Sequence, residues 1–369
     1  MEYYQTIIGN GGEQSSMCSI RKISCESPEK YIWDEFLYLE NESVAKRFLT
    51  QKYSALGASH AERVSFRNVY DFISYIKQAR NSFLSIKKNS LWIQPLLLYY
   101  GMMGLLKALL LTIDTDYPQN TTVLRHGLST RKRKKVPFRF SQDEIRVQKE
   151  GLFPHLAKLL GVSIATGETF ITRNLLGMIP DLQSTYQRVF NHPSLIPIEL
   201  SHDHPIPEAT HMEWEIEDSV LDQLHLTPQS LVEKLNSHSI SSQFRLSLSQ
   251  DQKNRVQMIW LNSEVPHVNS WSKGFNHPWF MSDKKGNYYL WLSNNCPIHP
   301  IPEYLTLYML LFSLSMLCRY DPPLWGEIID SDMSEERILI EQLLSTVTRK
   351  FPQMILELFY EEKWILRIQ

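Results

Sequence analysis

The fold is decided by residues 92–113, which read WIQPLLLYYGMMGLLKALLLTI. This stretch is apolar on every side of a helix and approaches the length of a membrane span. Lys107 interrupts it, and the tryptophans and tyrosines of the chain are spread along its length instead of forming two belts. Helices that are apolar all round also occupy the centres of large soluble domains. We therefore predict a buried core helix and no membrane association.

One face of this helix is made of small residues. Gly101, Gly104 and Ala108 lie close together on a helical wheel, because about 3.6 residues complete a turn. Glycines allow another backbone to approach closely. The partner that we predict for this face is the second apolar stretch, 301–318. That pairing would join the two ends of the chain in one core.

The spacing of apolar residues changes along the rest of the chain. Residues 1–25 are polar and are predicted to be loosely held. Helices are expected to begin at Ser27 and Asn41 and to follow one another up to the central stretch. Alternating apolar residues at 136–140 and 145–147 predict strands. After residue 300 the chain is predicted to be helical, with a break at Pro352.

These segments predict an α+β protein with a mainly helical core and a central β-rich insert. The insert carries short strands and one helix, which begins at Thr227. The predicted organisation is 26–194, a helical domain with a basic β segment at 121–150; 195–295, the β-rich insert; and 296–369, C-terminal helices that pack back on the first domain.

Positive charge is concentrated in one region. The 369 residues carry a net charge of −2. From Arg125 to Glu150, nine lysines and arginines against three acids give a local charge of +6, which leaves −8 on the remainder. This asymmetry indicates an anion site or a nucleic-acid contact. The alternative is a basic loop that is simply solvated.

The predicted ligand-binding residues come from this region. Arginine offers a planar fork of donors that suits phosphate, and lysine adds a point charge. His126 could hydrogen-bond a phosphate or a base, and it is the one candidate for a catalytic acid or base. Gly127 would allow close backbone approach. The set is Arg125, His126, Gly127, Arg131, Lys132, Arg133, Lys134, Lys135, Arg139 and Arg146.

Other motifs argue against several classes of protein. The four cysteines are scattered, so a disulfide framework is not expected and a reducing cytoplasm fits best. The first residues do not have the pattern of a signal peptide. No P-loop, GxGxxG, GxSxG or HExxH motif is present. His202, His204 and His211 lie near prolines and are better explained as loop histidines than as zinc ligands. We expect no metal and no cofactor.

Four stretches together resemble the YaaC-like proteins of Gram-positive bacteria. They are PLLLYYGMMGLLK at 95–107, HGLSTRKRKK at 126–135, QDEIRVQKEGLF at 142–153 and LCRYDPPLW at 317–325. The resemblance extends from about residue 30 to residue 360. It implies a link to purine nucleotides, because genes of this family often lie beside the gene for IMP dehydrogenase.

The helical parts also resemble HEPN domains, which often act as metal-independent ribonucleases through an arginine and a histidine at a set spacing. That spacing is absent, because three residues separate Arg188 from His192 and Arg125 adjoins His126. The first hypothesis is therefore a cytoplasmic, non-enzymatic regulatory protein that binds a nucleotide or RNA, with IMP dehydrogenase as a candidate partner. The second is a metal-independent nuclease or phosphotransfer enzyme. The third is a protein-interaction module that docks on an acidic partner. A homodimer is compatible with each.

Overall fold

The protein has an α+β fold with a helical body, as predicted. The structure is a computed structural model. It describes residues 17–130, 138–200, 211–217, 221–222, 225–237, 244–248, 255–262, 273–275, 280–291, 301–330 and 335–369.

Long helices form the body, and short helices and strands surround it. The helices are α1 (Pro28–Leu39), α2 (Glu42–Ala55), α3 (Ala61–Ser85), α4 (Gln94–Ile113), α5 (Leu152–Leu159), α6 (Thr172–Gly177), α7 (Gln183–Phe190), α8 (Pro228–Ser237), α9 (Glu303–Tyr320), α10 (Pro322–Asp330) and α11 (Glu336–Tyr360). The strands are β1 (Met17–Cys25), β2 (Leu128–Thr130), β3 (Glu144–Val147), β4 (Thr169–Ile171), β5 (Ile196–Leu200), β6 (His211–Glu217), β7 (Phe244–Leu248), β8 (Arg255–Asn262), β9 (Lys273–Phe275), β10 (Phe280–Ser282), β11 (Tyr288–Leu290) and β12 (Glu362–Ile368).

The first two helices begin at side-chain caps. The Ser27 hydroxyl accepts a hydrogen bond from the N–H of Lys30, and the Asn41 side chain accepts one from the N–H of Val44 at 3.2 Å. Such caps satisfy backbone N–H groups that the first turn of a helix leaves unpaired. The helix starts predicted at Ser27 and Asn41 are therefore confirmed.

The small residues of α4 face α3. A Cβ atom on Gly101 would lie 2.8 Å from a ring carbon of Phe83, and one on Gly104 would lie 3.0 Å from the carbonyl oxygen of Tyr75. The prediction that this face meets residues 301–318 is wrong. Because α3 directly precedes α4 in the chain, a short connection brings the two helices side by side, and the glycines permit their close approach.

α9 packs on a different face of α4. The hydroxyl oxygens of Tyr99 and Tyr308 lie 2.9 Å apart at this contact, and α9 is buried along most of its length. The two apolar stretches therefore do share one core. Within the part of the chain that the structure describes, α4 is long and apolar enough to cross a membrane, but 67% of its most apolar window is buried. Such burial is typical of the core helix of a soluble protein.

α11 is continuous from Glu336 to Tyr360 although Pro352 lies inside it. The predicted break at this proline is wrong. Proline removes one backbone donor and crowds the preceding turn, which disfavours a helix interior. The neighbouring side chains of Phe351 and Ile355 are fully buried, and their packing stabilises the helix on both sides of Pro352.

The two ends of the described chain meet in a sheet that the sequence does not predict. β1 pairs in parallel with β12, so that Ser19 lies opposite Glu362, and it pairs antiparallel with β9. The expectation that residues 1–25 are loosely held is wrong for 17–25, while 1–16 lie outside the described residues. The partners of β1 are distant in sequence, and local composition could not reveal them.

The β-rich insert contains a six-stranded sheet with the order β10-β11-β5-β6-β8-β7. The strands predicted for it, and the helix after Thr227, are present. Lys350 of α11 connects this part to the helical body. Its Nζ lies 3.0 Å from the carbonyl oxygen of Ser282, 3.0 Å from the Asp181 carboxylate and 2.7 Å from the Glu303 carboxylate.

A small antiparallel sheet with the order β2-β3-β4 leads to the basic region. Leu128 lies opposite Val147, and Thr130 lies opposite Ile145. The strand predicted at 145–147 is confirmed as part of β3.

The strand predicted at 136–140 is wrong where the structure describes it. Residues 140–142 form a 3-10 turn instead. The Glu336 carboxylate accepts hydrogen bonds from the N–H of Phe140 at 2.7 Å and from the N–H of Ser141 at 3.1 Å. These two donors are held by a distant acid and are not available to a neighbouring strand.

Candidate functional site

The structure places the predicted ligand-binding residues in different settings. Arg125, Arg139 and Arg146 are exposed, His126 is half-buried and Gly127 is buried. The remaining members lie outside the described residues; they are Arg131, Lys132, Arg133, Lys134 and Lys135.

His126 is attached to the contact between α4 and α9. Its Nδ1 lies 2.7 Å from the hydroxyl of Tyr99, and its ring packs against Phe312. Burial lowers the pKa of His126, and the positive charges of Arg319 and Lys107 lower it further. The imidazole is therefore neutral at pH 7 and joined to the core by one ring nitrogen.

Gly127 packs against the chain itself. A Cβ atom on Gly127 would lie 2.4 Å from Cδ of Pro154, and one on Gly151 would lie 2.3 Å from Cα of Gly127. The φ angles of Gly127 and Gly151 are +78° and +135°, values that favour glycine. Gly127 thus permits a backbone crossing that fixes the positions of Arg125 and His126.

The exposed arginines lie around the small sheet. Arg146 points outward from β3, opposite Ser129 of β2. Arg139 has extended backbone immediately before the 3-10 turn. The carbonyl oxygen of Arg125 accepts a hydrogen bond from the N–H of Leu152, and Arg125 is exposed. Three guanidinium groups therefore face solvent in this region.

Beside the small sheet lies a cavity of about 300 Å³ that opens to solvent. It is lined by the end of β2, the residues before β3 and the last turns of α9. The lining residues are Thr130, Phe138, Asp143, Ser313, Met316, Leu317, Tyr320 and Asp321. Thr130 and Phe138 are also the residues that flank 131–137 in the sequence, so the basic run connects two residues of the cavity lining.

Asp143 is the most unusual residue of this cavity. It is 3% exposed, and its Oδ2 accepts a hydrogen bond from the Ser313 hydroxyl at 2.8 Å. Its Oδ1 is buried and has no hydrogen-bond partner among the described residues. Burial raises the pKa of Asp143 to about 6, although the Ser313 hydrogen bond opposes the rise. At neutral pH the cavity therefore holds a buried, partly satisfied carboxylate, which is a costly arrangement.

The backbone that carries this carboxyl is held at both ends. The N–H of Asp143 donates to the carbonyl oxygen of Phe140 at 3.0 Å, and its own carbonyl oxygen accepts from the N–H of Thr172 at 3.0 Å. Together with the bonds from Glu336, these contacts fix the position of the carboxyl relative to α9. Such preorganisation is typical of binding sites.

Asp143 is not among the residues that the sequence singles out. It stands between Gln142 and Glu144, in a polar triplet that is typical of a solvated turn. The residues that bury it lie on α9, far along the chain. One local signal was available: Asp143 precedes Ile145 and Val147 by steps of two, and side chains alternate along a strand. Asp143 is therefore on the buried side of β3.

Replacing Asp143 with asparagine is expected to stabilise the protein by about 1–3 kcal/mol at about pH 7.5, since one pKa unit corresponds to about 1.4 kcal/mol. The folded pKa of about 6 exceeds the ordinary value of 3.8. The folded state therefore binds more protons between these values, and the stability of the wild type falls as pH rises through that window.

Urea unfolding at about pH 7.5 and about pH 4 measures this effect, and the gain should largely vanish at the lower pH because the carboxyl is then protonated in the folded state. The exposed Asp34 on α1 provides the control, since Asp34→Asn should change stability by less than about 0.5 kcal/mol. A loss of stability in Asp143→Asn at both pH values would contradict the prediction.

Comparison with known proteins identifies a family. The model of the family described as YaaC-like Protein matches residues 37–359. The matched span includes the small sheet, α9 and the described residues that line the cavity. None of the curated proteins and none of the solved structures matches the chain.

Proposed function

The chain belongs to the YaaC-like family, and we propose that it is a cytoplasmic, non-enzymatic regulatory protein that binds a nucleotide. The observation that carries the proposal is the position of the cavity. It lies where the basic run begins and ends, since Thr130 and Phe138 both line it. A nucleotide would place its base in the cavity and its phosphates among the cations outside.

The size and lining of the cavity support a small ligand. A volume of about 300 Å³ is at the lower end of the range for small-molecule sites. Aromatic and apolar side chains form much of the wall, with Asp143 and Ser313 as fixed polar groups. Such a mixture is usual in sites that enclose one ring system and orient it with a few hydrogen bonds. A polymer such as RNA would instead need an extended groove.

The cations near the cavity support phosphates at its mouth. Among the described residues that line the cavity there is no lysine or arginine, and these residues offer no positive charge to an anionic group. Arg139 is exposed and directly follows Phe138. Five further cations occupy 131–135 in the sequence. Arginine and lysine bind phosphate by charge-assisted hydrogen bonds.

The setting of His126 favours binding over catalysis. This residue does not line the cavity, and its Nδ1 is engaged by Tyr99. A general base has to reach the proton that it removes. His126 is better placed to position the chain that leads to β2 than to act on a ligand in the cavity.

Replacing the five cations with serine is expected to weaken nucleotide binding about 10- to 100-fold, equivalent to the loss of one or two charge-assisted hydrogen bonds. The variant changes Arg131, Lys132, Arg133, Lys134 and Lys135. Thermal unfolding with added GMP, IMP, AMP and ATP provides the screen, because a ligand at about 100 times its Kd stabilises the folded state by about 2.7 kcal/mol.

The control variant removes two exposed cations in the connection between α3 and α4, neither of which lines the cavity, Lys87→Ser with Lys88→Ser. This variant should bind nucleotide like the wild type. Absence of stabilisation by every nucleotide would overturn the proposal. If the protein binds RNA with an affinity that falls steeply with salt, and no mononucleotide stabilises it, the proposed ligand would be RNA instead of a nucleotide.

We further propose IMP dehydrogenase as the first protein partner to test. The support is the gene neighbourhood that the family resemblance implies. Size-exclusion chromatography of the two purified proteins, with and without nucleotide, would detect a complex; separate elution under both conditions would remove this partner.

A further inference from the structure

Arg319 is an exposed arginine that two tyrosines hold beside the cavity. It lies in the last turn of α9. Its Nη1 donates a hydrogen bond to the Tyr100 hydroxyl at 2.8 Å, and its Nη2 donates one to the Tyr320 hydroxyl. Its Cζ also lies 4.6 Å from the centroid of the Tyr320 ring. Because Tyr320 lines the cavity, these contacts place the guanidinium group next to the cavity rim.

The charge of Arg319 is not matched by an acid of the described chain. No ion pair joins it to a carboxylate among the described residues. Asp321 follows two residues later, but its side chain accepts a hydrogen bond from the N–H of Leu324 at 3.3 Å, at the beginning of α10. Three of the five N–H groups of Arg319 therefore have no protein acceptor in the part of the chain that the structure describes.

A purely structural role explains these contacts less well. A cation in the last turn of a helix is stabilising, because that end of the helix carries partial negative charge. A lysine would meet this need without any tyrosine. The two hydroxyls instead restrain a side chain that otherwise has many rotamers. A ligand that binds a restrained arginine loses less conformational entropy, and the planar fork of donors matches two oxygens of a phosphate.

A second cation adds to the positive charge on this side of the molecule. Burial lowers the pKa of His126, and the charges of Arg319 and Lys107 lower it further. Lys107 is half-buried two turns after Tyr100 on α4, and its Nζ lies 5.3 Å from the centroid of the Tyr75 ring. Partly buried charges are screened by salt less than exposed ones. An anion that approaches Arg319 is therefore attracted by both cations.

We propose that Arg319 forms a phosphate subsite at the rim of the cavity and binds the phosphate next to the ribose of a nucleotide. Only the ribose separates that phosphate from the base, so a base in the cavity places the phosphate at the rim. Tyr100 and Tyr320 are positioning residues, because they act through the guanidinium group. The inference rests on the nucleotide binding proposed above and names the residue that holds the phosphate.

Calorimetric titration of the full chain with adenosine, guanosine, inosine and their monophosphates tests the subsite. The ratio of the affinity for a monophosphate to the affinity for its nucleoside measures what the phosphate contributes. Arg319→Gln should lower this ratio about 10- to 100-fold, the equivalent of one charge-assisted hydrogen bond. It should leave the affinity for the nucleoside unchanged, which also shows that the variant is folded.

Two further variants separate charge from geometry. Arg319→Lys keeps the charge and loses the fork, so its ratio should lie between those of the wild type and Arg319→Gln. Tyr100→Phe removes one hydroxyl and should lower the ratio about 2- to 10-fold, the equivalent of one neutral hydrogen bond. When Arg319→Gln is already present, Tyr100→Phe should have no further effect on the ratio, since the tyrosine acts through the arginine.

Arg173→Gln is the matched control. The Cζ of Arg173 lies 4.3 Å from the centroid of the Phe190 ring, and its Nη2 contacts the His192 ring. Neither partner is among the described residues that line the cavity. This variant removes the same charge from an arginine in a similar aromatic setting, and it should keep the wild-type ratio.

The outcomes separate the two proposals. Absence of binding by every nucleoside and nucleotide overturns both. A ratio that Arg319→Gln leaves unchanged, in a protein that still binds nucleotides, overturns the phosphate subsite and leaves nucleotide binding intact. An equal loss of affinity for nucleoside and monophosphate also overturns the subsite, because the arginine would then support the fold or the base. A ratio lowered as much by Arg173→Gln indicates a general effect of charge and overturns it as well.

Discussion

Replacing Lys350 with methionine is expected to lower the free energy of unfolding by about 3–5 kcal/mol, because removal of one partner leaves buried charges without compensation. Lys350 lies within 3.0 Å of the Asp181 and Glu303 carboxylates, and the Asp181 side chain is 3% exposed. Methionine keeps most of the apolar stem, so the loss reports chiefly on the charge. Lys350 also holds the carbonyl oxygen of Ser282, and the variant should loosen the insert from the helical body.

The pH dependence of this loss follows from the same contacts. Burial raises the pKa of Glu303, and Lys350 opposes that rise. Without Lys350, the folded-state pKa of Glu303 should lie further above its unfolded value. The stability of the variant should then fall as pH rises from the unfolded-state pKa of Glu303 to its folded-state pKa. Urea unfolding at about pH 4.5 should therefore show a smaller loss than at about pH 7.5.

Two further variants identify the cause. Lys87→Met removes an exposed ion pair with Glu29 and should cost less than about 1 kcal/mol. Combining Lys350→Met with Asp181→Asn and Glu303→Gln should recover part of the lost stability, because no charge then remains unpaired. If Lys350→Met costs no more than Lys87→Met, the buried cluster does not stabilise the fold as described.

Replacing Gly151 with alanine should cost about 2–6 kcal/mol, since backbone strain of about 1–3 kcal/mol adds to overpacking of about 1–3 kcal/mol. The φ of Gly151 is +135°, and its added Cβ would lie 2.3 Å from Cα and 2.4 Å from N of Gly127. These neighbours are backbone atoms, so no flexible side chain can move aside. The segment that carries Arg125 and His126 would have to shift.

Gly161→Ala is the matched control. Gly161 also has a positive φ, +70°, but an added Cβ would meet nothing within 4 Å. Its replacement should cost only the strain of a left-handed residue, about 1–2 kcal/mol. Thermal or urea unfolding of both variants measures the difference. Equal losses in the two would show that the crossing of Gly127 and Gly151 is not tightly packed.

Features with a local cause could be predicted from the sequence. Caps at Ser27 and Asn41 depend on neighbours within the first helical turn, and the alternation at 145–147 is visible in three residues. The core helix 92–113 is evident because no polar face interrupts it. In each case the interactions that decide the structure lie within one or two turns of chain.

Features with a distant cause could not be predicted. The glycines of α4 indicate close packing against another segment of the chain. They do not indicate which segment, and the structure shows that it is α3. Pro352 disfavours a helix interior, but the burial of Phe351 and Ile355 stabilises the helix by more than the proline costs. The local sequence does not distinguish Asp143 from other acids in polar turns, because its setting depends on Ser313 of α9. The predicted site emphasised charge at 131–135, whereas the described cavity depends on one buried carboxyl nearby.

The parallel pairing of β1 with β12 has a consequence for biosynthesis. Because Ser19 lies opposite Glu362, β1 has no such neighbour on the nascent chain until the ribosome has released residues 362–368. A message with a premature stop before residue 362 would therefore yield a product in which β1 has an open edge. Such an edge invites pairing with other chains, so incomplete products should be recognisable to chaperones and proteases by that exposed strand.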